Sequence, residues 1–229
     1  MSQLAEQFAS VQDSIASAIQ RSGRQPGDVS LVAVSKLQPP DAIWDLFAAG
    51  QRIFGESRVQ EAVAKIADAP AATRWQFIGH LQANKVRQAL PLFELIHSID
   101  SLDLARNVDR IAGDLGLRPS VLLEVNVAGE ASKYGFSPVQ LHESLESLLA
   151  LPRLEISGLM TIPPHAADPE YSRPYFAQLR ELRDELEKEF SVKFPSLSMG
   201  MSGDFVVAIE EGATLVRVGS ALFGARQRR

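Results

Sequence analysis

The 229-residue chain contains no cysteine. That excludes disulfides, thiolate nucleophiles, iron–sulfur clusters and cysteine-based zinc sites. It also lacks an apolar stretch long enough to span a bilayer: the best candidate, Val121–Val127, is interrupted by Glu124. Nor is there an excess of positive charge. With 23 basic against 28 acidic residues the formal charge is −5, which leaves no electrostatic footprint for nucleic acid. The opening residues, Met1 to Gln7, have neither the basic nor the apolar region of a signal peptide, so the cytoplasm is the expected compartment. No repeat, low-complexity tract or flexible linker divides the chain. Residues 1–229 therefore read as one domain, with a flanking helical segment over 1–28 and a basic tail over 225–229. The tail, with Arg226, Arg228 and Arg229, is expected to be a solvated terminus.

What is present is a rhythm. Leu4, Phe8, Val11, Ile15 and Ile19 recur at spacings of four, three, four and four, one apolar stripe of an amphipathic helix. Gly23, Pro26 and Gly27 break it. Eight short apolar runs follow: Leu31–Val34, Arg52–Phe54, Trp75–Ile78, Leu95–Ile99, Val121–Val127, Glu155–Met160, Ser196–Met199 and Leu215–Val218. Several are apolar at successive positions, as expected of parallel strands buried on both faces. Helical patterns lie between them, starting near Asp41, Leu81, Ser101, Ser137, Pro169 and Phe205. This alternation predicts a (β/α)₈ TIM barrel with an extra N-terminal helix. An open doubly wound sheet is the alternative, but no GxGxxG follows the first run.

In such a barrel, active groups gather at the C-terminal ends of the strands, and phosphate often binds the loops after strands seven and eight. Lys36 ends the first strand. It is either a surface lysine or a partly desolvated amine, nucleophilic toward an aldehyde. After the seventh run comes Met199-Gly-Met-Ser-Gly-Asp204, where Ser202 reads as the N-cap of a helix from Phe205. After the eighth come Gly219 and Ser220. Each loop alone could be ordinary; together they suit a phosphate. A cofactor that is both an aldehyde and a phosphate is pyridoxal 5′-phosphate (PLP). Arg217, within the last strand, could form an ion pair inside the barrel or face the pyridine nitrogen. A guanidinium only donates hydrogen bonds, so it would leave that nitrogen unprotonated and PLP a poor electron sink.

A set of motifs then resembles a known family. They are Ala33-Val-Ser-Lys36, Phe54-Gly-Glu-Ser-Arg-Val-Gln-Glu61, Trp75-Gln-Phe-Ile-Gly-His-Leu-Gln-Ala-Asn-Lys85, His97-Ser-Ile-Asp100 and Glu124-Val-Asn-Val127. Further along come Lys133-Tyr-Gly-Phe136, Gly158-Leu-Met160, Leu197-Ser-Met-Gly-Met-Ser-Gly-Asp204 and Val216-Arg-Val-Gly219. In this combination the chain resembles the YggS/PROSC-type pyridoxal phosphate homeostasis family, which shares the barrel of the alanine racemase N-terminal domain. The resemblance implies a Schiff base on Lys36, the phosphate at Ser202, Gly219 and Ser220, and Arg217 at the pyridine nitrogen. Two departures stand out. Ser57 and Arg58 replace a usual Asn-Tyr, and Gln76 replaces a usual histidine, a change expected to affect strand packing rather than chemistry.

Related racemases use the PLP lysine and a tyrosine from a second, β-rich domain. The chain ends at Arg229 soon after the eighth strand, so that domain is expected to be missing; Tyr134, Tyr171 and Tyr175 remain as candidates for a second base. The reading that follows is a PLP carrier acting in PLP and amino-acid homeostasis, without efficient turnover. A PLP-dependent racemase or lyase of low activity is the alternative. PLP-requiring apo-enzymes are the expected recipients. No metal site is read, and a monomer is expected because no exposed apolar stripe stands out.

Overall fold

The computed structural model describes residues 2–224. Arg226, Arg228 and Arg229 of the basic tail lie outside the described residues. The elements are α1 (Gln3–Arg21), β1 (Ser30–Val34), α2 (Pro40–Ala48), β2 (Ile53–Glu56), α3 (Val59–Asp68), β3 (Arg74–Phe77), α4 (Val86–Ala89) and β4 (Leu95–Ile99). Then follow α5 (Leu102–Leu115), β5 (Ser120–Glu124), α6 (Pro138–Leu149), β6 (Glu155–Met160), α7 (Arg173–Phe190), β7 (Ser196–Ser198), α8 (Phe205–Glu210), β8 (Leu215–Val218) and α9 (Ser220–Phe223). The strands form a closed barrel in sequence order, every pair parallel, with β1 closing on β8 through Val32 opposite Arg217. The TIM-barrel expectation holds.

Two apolar clusters explain why the strands are hydrophobic on both faces. The larger joins outward residues such as Ala33, Phe54, Phe77 and Leu123 to the helices. The smaller, inside the barrel, joins Val32, Leu95, Leu122, Met160 and Leu215, with Ile53 and Ile78 packed against it. Helix α1 caps itself through Ser2, whose hydroxyl accepts from the Ala5 N–H at 3.3 Å. Its stripe, Phe8, Val11, Ile15, Ala18 and Ile19, is buried. Helix α6 opens with a reciprocal capping box between Ser137 and Gln140.

Several boundaries differ from the sequence expectation. Helix α3 was not among the expected helices, although Val59, Ala62, Val63 and Ile66 recur at helical spacing; it starts without a side-chain cap. Strand β2 runs on to Glu56, and β5 stops at Glu124 instead of Val127. The region 81–90 holds only a 3₁₀ turn (Ala83–Lys85) and the single-turn α4. Ser202 is not an N-cap: Asp204 occupies that position for α8, and the Ser202 hydroxyl bonds elsewhere. Among the described residues, no helix is long and apolar enough to cross a membrane.

Candidate functional site

The loops after β7 and β8 meet at one hydroxyl. Ser202 Oγ accepts the N–H of Gly219 at 3.1 Å and of Ala221 at 3.2 Å, so two backbone donors at the start of α9 converge on one oxygen. That donor set, with the exposed Ser220 beside it, suits a phosphate ester. The β7 loop is shaped by Gly200, which has φ +91°; a Cβ there would lie 2.5 Å from Ala208 Cβ. Asp204 secures the loop from the other side. Its Oδ1 accepts the Met201 N–H at 2.7 Å, and its Oδ2 accepts the Ser172 hydroxyl at 3.0 Å.

Lys36 is half-buried just past β1, and β1 is the neighbour of β8. A Cβ at Gly219 would lie 3.4 Å from Val34 Cβ, so the phosphate-type loop abuts the strand that carries the lysine. The chain turns at once after Lys36: the Gln38 N–H donates to the Ser35 carbonyl at 3.0 Å, and Leu37 has φ +64°.

Arg217 is 4% exposed inside the barrel. Its Nη1 donates to Ser198 Oγ at 2.5 Å and its Nη2 to the Thr161 carbonyl at 2.9 Å. A hydrogen-bonded line continues from it. Ser198 Oγ lies 2.8 Å from His97 Nδ1, and His97 Nε2 lies 2.9 Å from Gln76 Oε1. Gln76 Nε2 donates to Glu94 Oε1 at 3.0 Å, which leaves the Gln76 amide oxygen facing His97 as an acceptor. His97 therefore carries its proton on Nε2, and Ser198 donates to Nδ1 while accepting from Arg217. Burial and the nearby Arg217 charge hold the His97 pKa well below its ordinary value, so the ring stays neutral. Gln76, expected to matter for strand packing, is buried and part of this line. Burial also lowers the Arg217 pKa to about 10, against raising contributions from Glu124 and Asp204; the guanidinium remains charged at neutral pH.

The opposite side of the mouth, after β3, β4 and β5, is built from acids and rings. His80 Nδ1 lies 3.0 Å from Asp100 Oδ2. Tyr134, from the loop after β5, stacks on His80 with centroids 3.7 Å apart and planes 12° apart. That loop is pinned at its far end: Phe136 N–H donates to the Glu124 carbonyl at 2.8 Å, and Gly135 takes φ +109°. Glu124 is 9% exposed, and burial, reinforced by Asp100 and opposed by Arg217, raises its carboxyl to about 7. Their motifs were visible in the sequence, but no role for His80, Asp100 or Glu124 was. Only their shared position at strand ends could have signalled one.

Of the residues expected at the site, Ser202 and Gly219 are brought into contact, with Ser220 beside them. Arg217 lies within β8 just before them, and Lys36 follows the adjacent β1. Ser57 is half-buried and Arg58 exposed. Among the described residues, no group of three or more His, Asp or Glu is placed to hold a metal ion.

Comparison with known proteins identifies the family. Residues 12–227 match the family described as alanine racemase, N-terminal domain. A pyridoxal phosphate homeostasis protein of Aquifex aeolicus is 46% identical over 223 residues, covering 97% of this chain and 98% of the relative. One from Pseudomonas aeruginosa is 45% identical over 228 residues, covering 99% and 97%. The structure of PipY from Synechococcus elongatus with PLP bound superposes with a TM-score of 0.85 at 42% identity, covering 97% of this chain and 100% of that one. The chain thus belongs to the alanine racemase N-terminal domain family and, within it, to the pyridoxal phosphate homeostasis proteins.

Proposed function

We propose that this protein holds PLP at the C-terminal mouth of the barrel and serves PLP and amino-acid homeostasis. In this reading the Lys36 amine forms a Schiff base with the cofactor aldehyde. Ser202, Gly219 and Ser220 receive the phosphate, and Arg217 faces the pyridine nitrogen. When bound, PLP supplies an electrophilic carbonyl and an electron-accepting ring. The protein's part is to bind and orient it. The observation that carries the reading is the convergence of the Gly219 and Ala221 N–H groups on the Ser202 hydroxyl, beside the strand that ends in Lys36. The PLP held by a 42% identical relative supports it.

Arg217 argues for carriage over turnover. Its charge is maintained at neutral pH and it can only donate, so a ring nitrogen facing it stays unprotonated and draws electrons weakly. A single domain over 1–229, a monomer in the cytoplasm, and PLP-requiring apo-enzymes as recipients complete the proposal. The test is the visible spectrum of the purified protein before and after borohydride, followed by mass spectrometry. A pyridoxyl group on Lys36 is expected; one on Lys85 or Lys133 overturns the assignment.

A second reading, a racemase or lyase of low activity, is favoured by the acid–base groups after β3 to β5. The His80–Asp100 pair and a Glu124 carboxyl titrating about 7 could move protons, with Tyr134 alongside. Exchange of amino-acid α-protons in deuterated water separates the two. Brisk exchange, at ordinary turnover rates of about 1–10³ per second, establishes the enzyme; its absence supports the carrier.

A further inference from the structure

Behind the Lys36 turn, a buried charged cluster joins β1, β2 and α3. Ile53 packs with the inner cluster and Phe54 with the outer one, so Glu56, two residues after Phe54, faces away from the barrel interior, toward the helices. Lys65 meets it from α3. The Lys65 Nζ donates to the Ser35 carbonyl at 2.5 Å, to Glu56 Oε1 at 2.7 Å and to Glu61 Oε1 at 2.6 Å, using all three ammonium protons. The Ser35 hydroxyl donates to Glu56 Oε1 at 2.7 Å. Glu61, one turn before Lys65 on the same helix face, also accepts the Leu37 N–H. The peptide groups on both sides of Lys36 are thus held by side chains of α3.

The held conformation is one the chain would not take unaided. Leu37 has φ +64°, in the left-handed region that a Cβ disfavours. Its side chain is 68% exposed, so packing does not compensate. The cluster is itself costly, because buried charges lose hydration. Glu56 Oε2 is buried without a hydrogen-bond partner, and burial raises the Glu56 carboxyl despite Lys65 and Ser35. A core built for stability alone would favour apolar residues there. The segment Phe54–Glu61, matched above as a motif, has no part in the proposed cofactor contacts.

We propose that Glu61 and Lys65 are positioning residues for Lys36: bonded to the Leu37 N–H and the Ser35 carbonyl, they hold the left-handed turn that sets the direction in which the Lys36 side chain leaves β1. Glu56 orients Lys65 and Ser35 from the end of β2. Only the binding readout of this inference rests on Lys36 being the PLP lysine.

The test uses Glu61→Ala, Leu37→Gly and the two combined, with thermal unfolding to confirm that each variant folds. In cofactor-free protein, Glu61→Ala is expected to speed amide hydrogen exchange at Leu37 by about ten-fold or more while strand amides keep the parent rates. With PLP added, borohydride trapping at Lys36 should need about ten-fold more cofactor, equivalent to about 1.4 kcal/mol. Glycine adopts positive φ freely, so adding Leu37→Gly should bring trapping back to within about three-fold of the parent, an outcome that general destabilisation would not produce. Parent-like exchange at Leu37 in Glu61→Ala overturns the proposal, and so does failure of Leu37→Gly to rescue. If the parent traps no PLP on Lys36, the carrier reading fails instead, and the exchange experiment alone decides this one.

Discussion

The two sides of the barrel mouth are built from different chemistry. Around β7, β8 and β1, beside Lys36, the loops offer backbone N–H donors, hydroxyls and glycines, which keep their character at any physiological pH. Around β3, β4 and β5 they are Asp100, His80 and Glu124, with Tyr134 stacked over the histidine. One side offers an anion neutral donors; on the other, burial raises the Glu124 carboxyl to about 7. Arg217 joins them, since its charge acts on Glu124 and is acted on by Asp204. On the proposed reading, retention and proton movement fall to different strands, and each can be disturbed separately.

Lys36→Ala gives the largest contrast. It should abolish borohydride-trapped PLP completely while thermal unfolding stays near the parent, because a half-buried lysine past a strand adds little packing. Trapping undiminished in that variant removes the lysine from the retaining side.

Arg217→Met strikes the link. It strips the donor from Ser198 Oγ and the Thr161 carbonyl, both buried, and should cost about 2–5 kcal/mol in denaturant unfolding. It should also carry the Glu124 carboxyl above 7, since Arg217 is what opposes burial and Asp100 there. An unmoved Glu124 titration, followed by NMR, would show that the two sides are independent.

Glu124→Gln isolates the titrating side. Burial favours the protonated carboxyl, so folding takes up a proton between its ordinary pKa and about 7. The stability this contributes is full below about pH 4.5 and is lost as pH rises through 7. From 4.5 to about 7 the loss is about 3 kcal/mol. The glutamine variant should lack this slope in unfolding experiments across that range. An equal slope in both proteins would assign it to other groups.

The smallest effects belong to the phosphate loops. Ser202→Ala should weaken PLP retention by about 1.5–3 kcal/mol, the worth of a hydrogen bond to a charged group, and Ser220→Ala by the lower end of that range or less, given its exposure. Pyridoxal, without the phosphate, should be held poorly by the parent and indifferently to either change. Equal affinity for pyridoxal and PLP would dissolve the contrast between the two sides.

Sequence reading went furthest where the signal is local. Strands such as Leu31–Val34 and Val121–Leu123 were legible because both faces of a parallel strand are apolar. Lys36, Ser202, Gly219 and Ser220 were picked out as candidates because each follows a strand, and the structure brings Ser202 and Gly219 into contact. Helix α3 was missed: its apolar stripe is short, its start at Arg58 carries neither a side-chain cap nor a proline, and Lys65, an apparent surface lysine, is buried. Ser202 was placed in the right loop with the wrong partner. A serine before a helix normally caps that helix, whereas here the barrel's last two loops lie close enough for its hydroxyl to reach Gly219 and Ala221 instead.

The order of apolar runs and breaks by itself determined the eight-strand barrel, its N-terminal helix and the strand ends where polar residues emerge, because burial on two faces and helical periodicity are properties of neighbouring residues. Only the tertiary structure decided the partners: His97 with Ser198, Lys65 with Ser35, His80 with Tyr134. These pairs lie 101, 30 and 54 positions apart and meet because the closed barrel and its loops bring distant segments together. Around His97 and Lys65, where water is excluded, buried polar groups find nearly all their hydrogen bonds within the protein, a requirement that acts on space rather than on sequence distance.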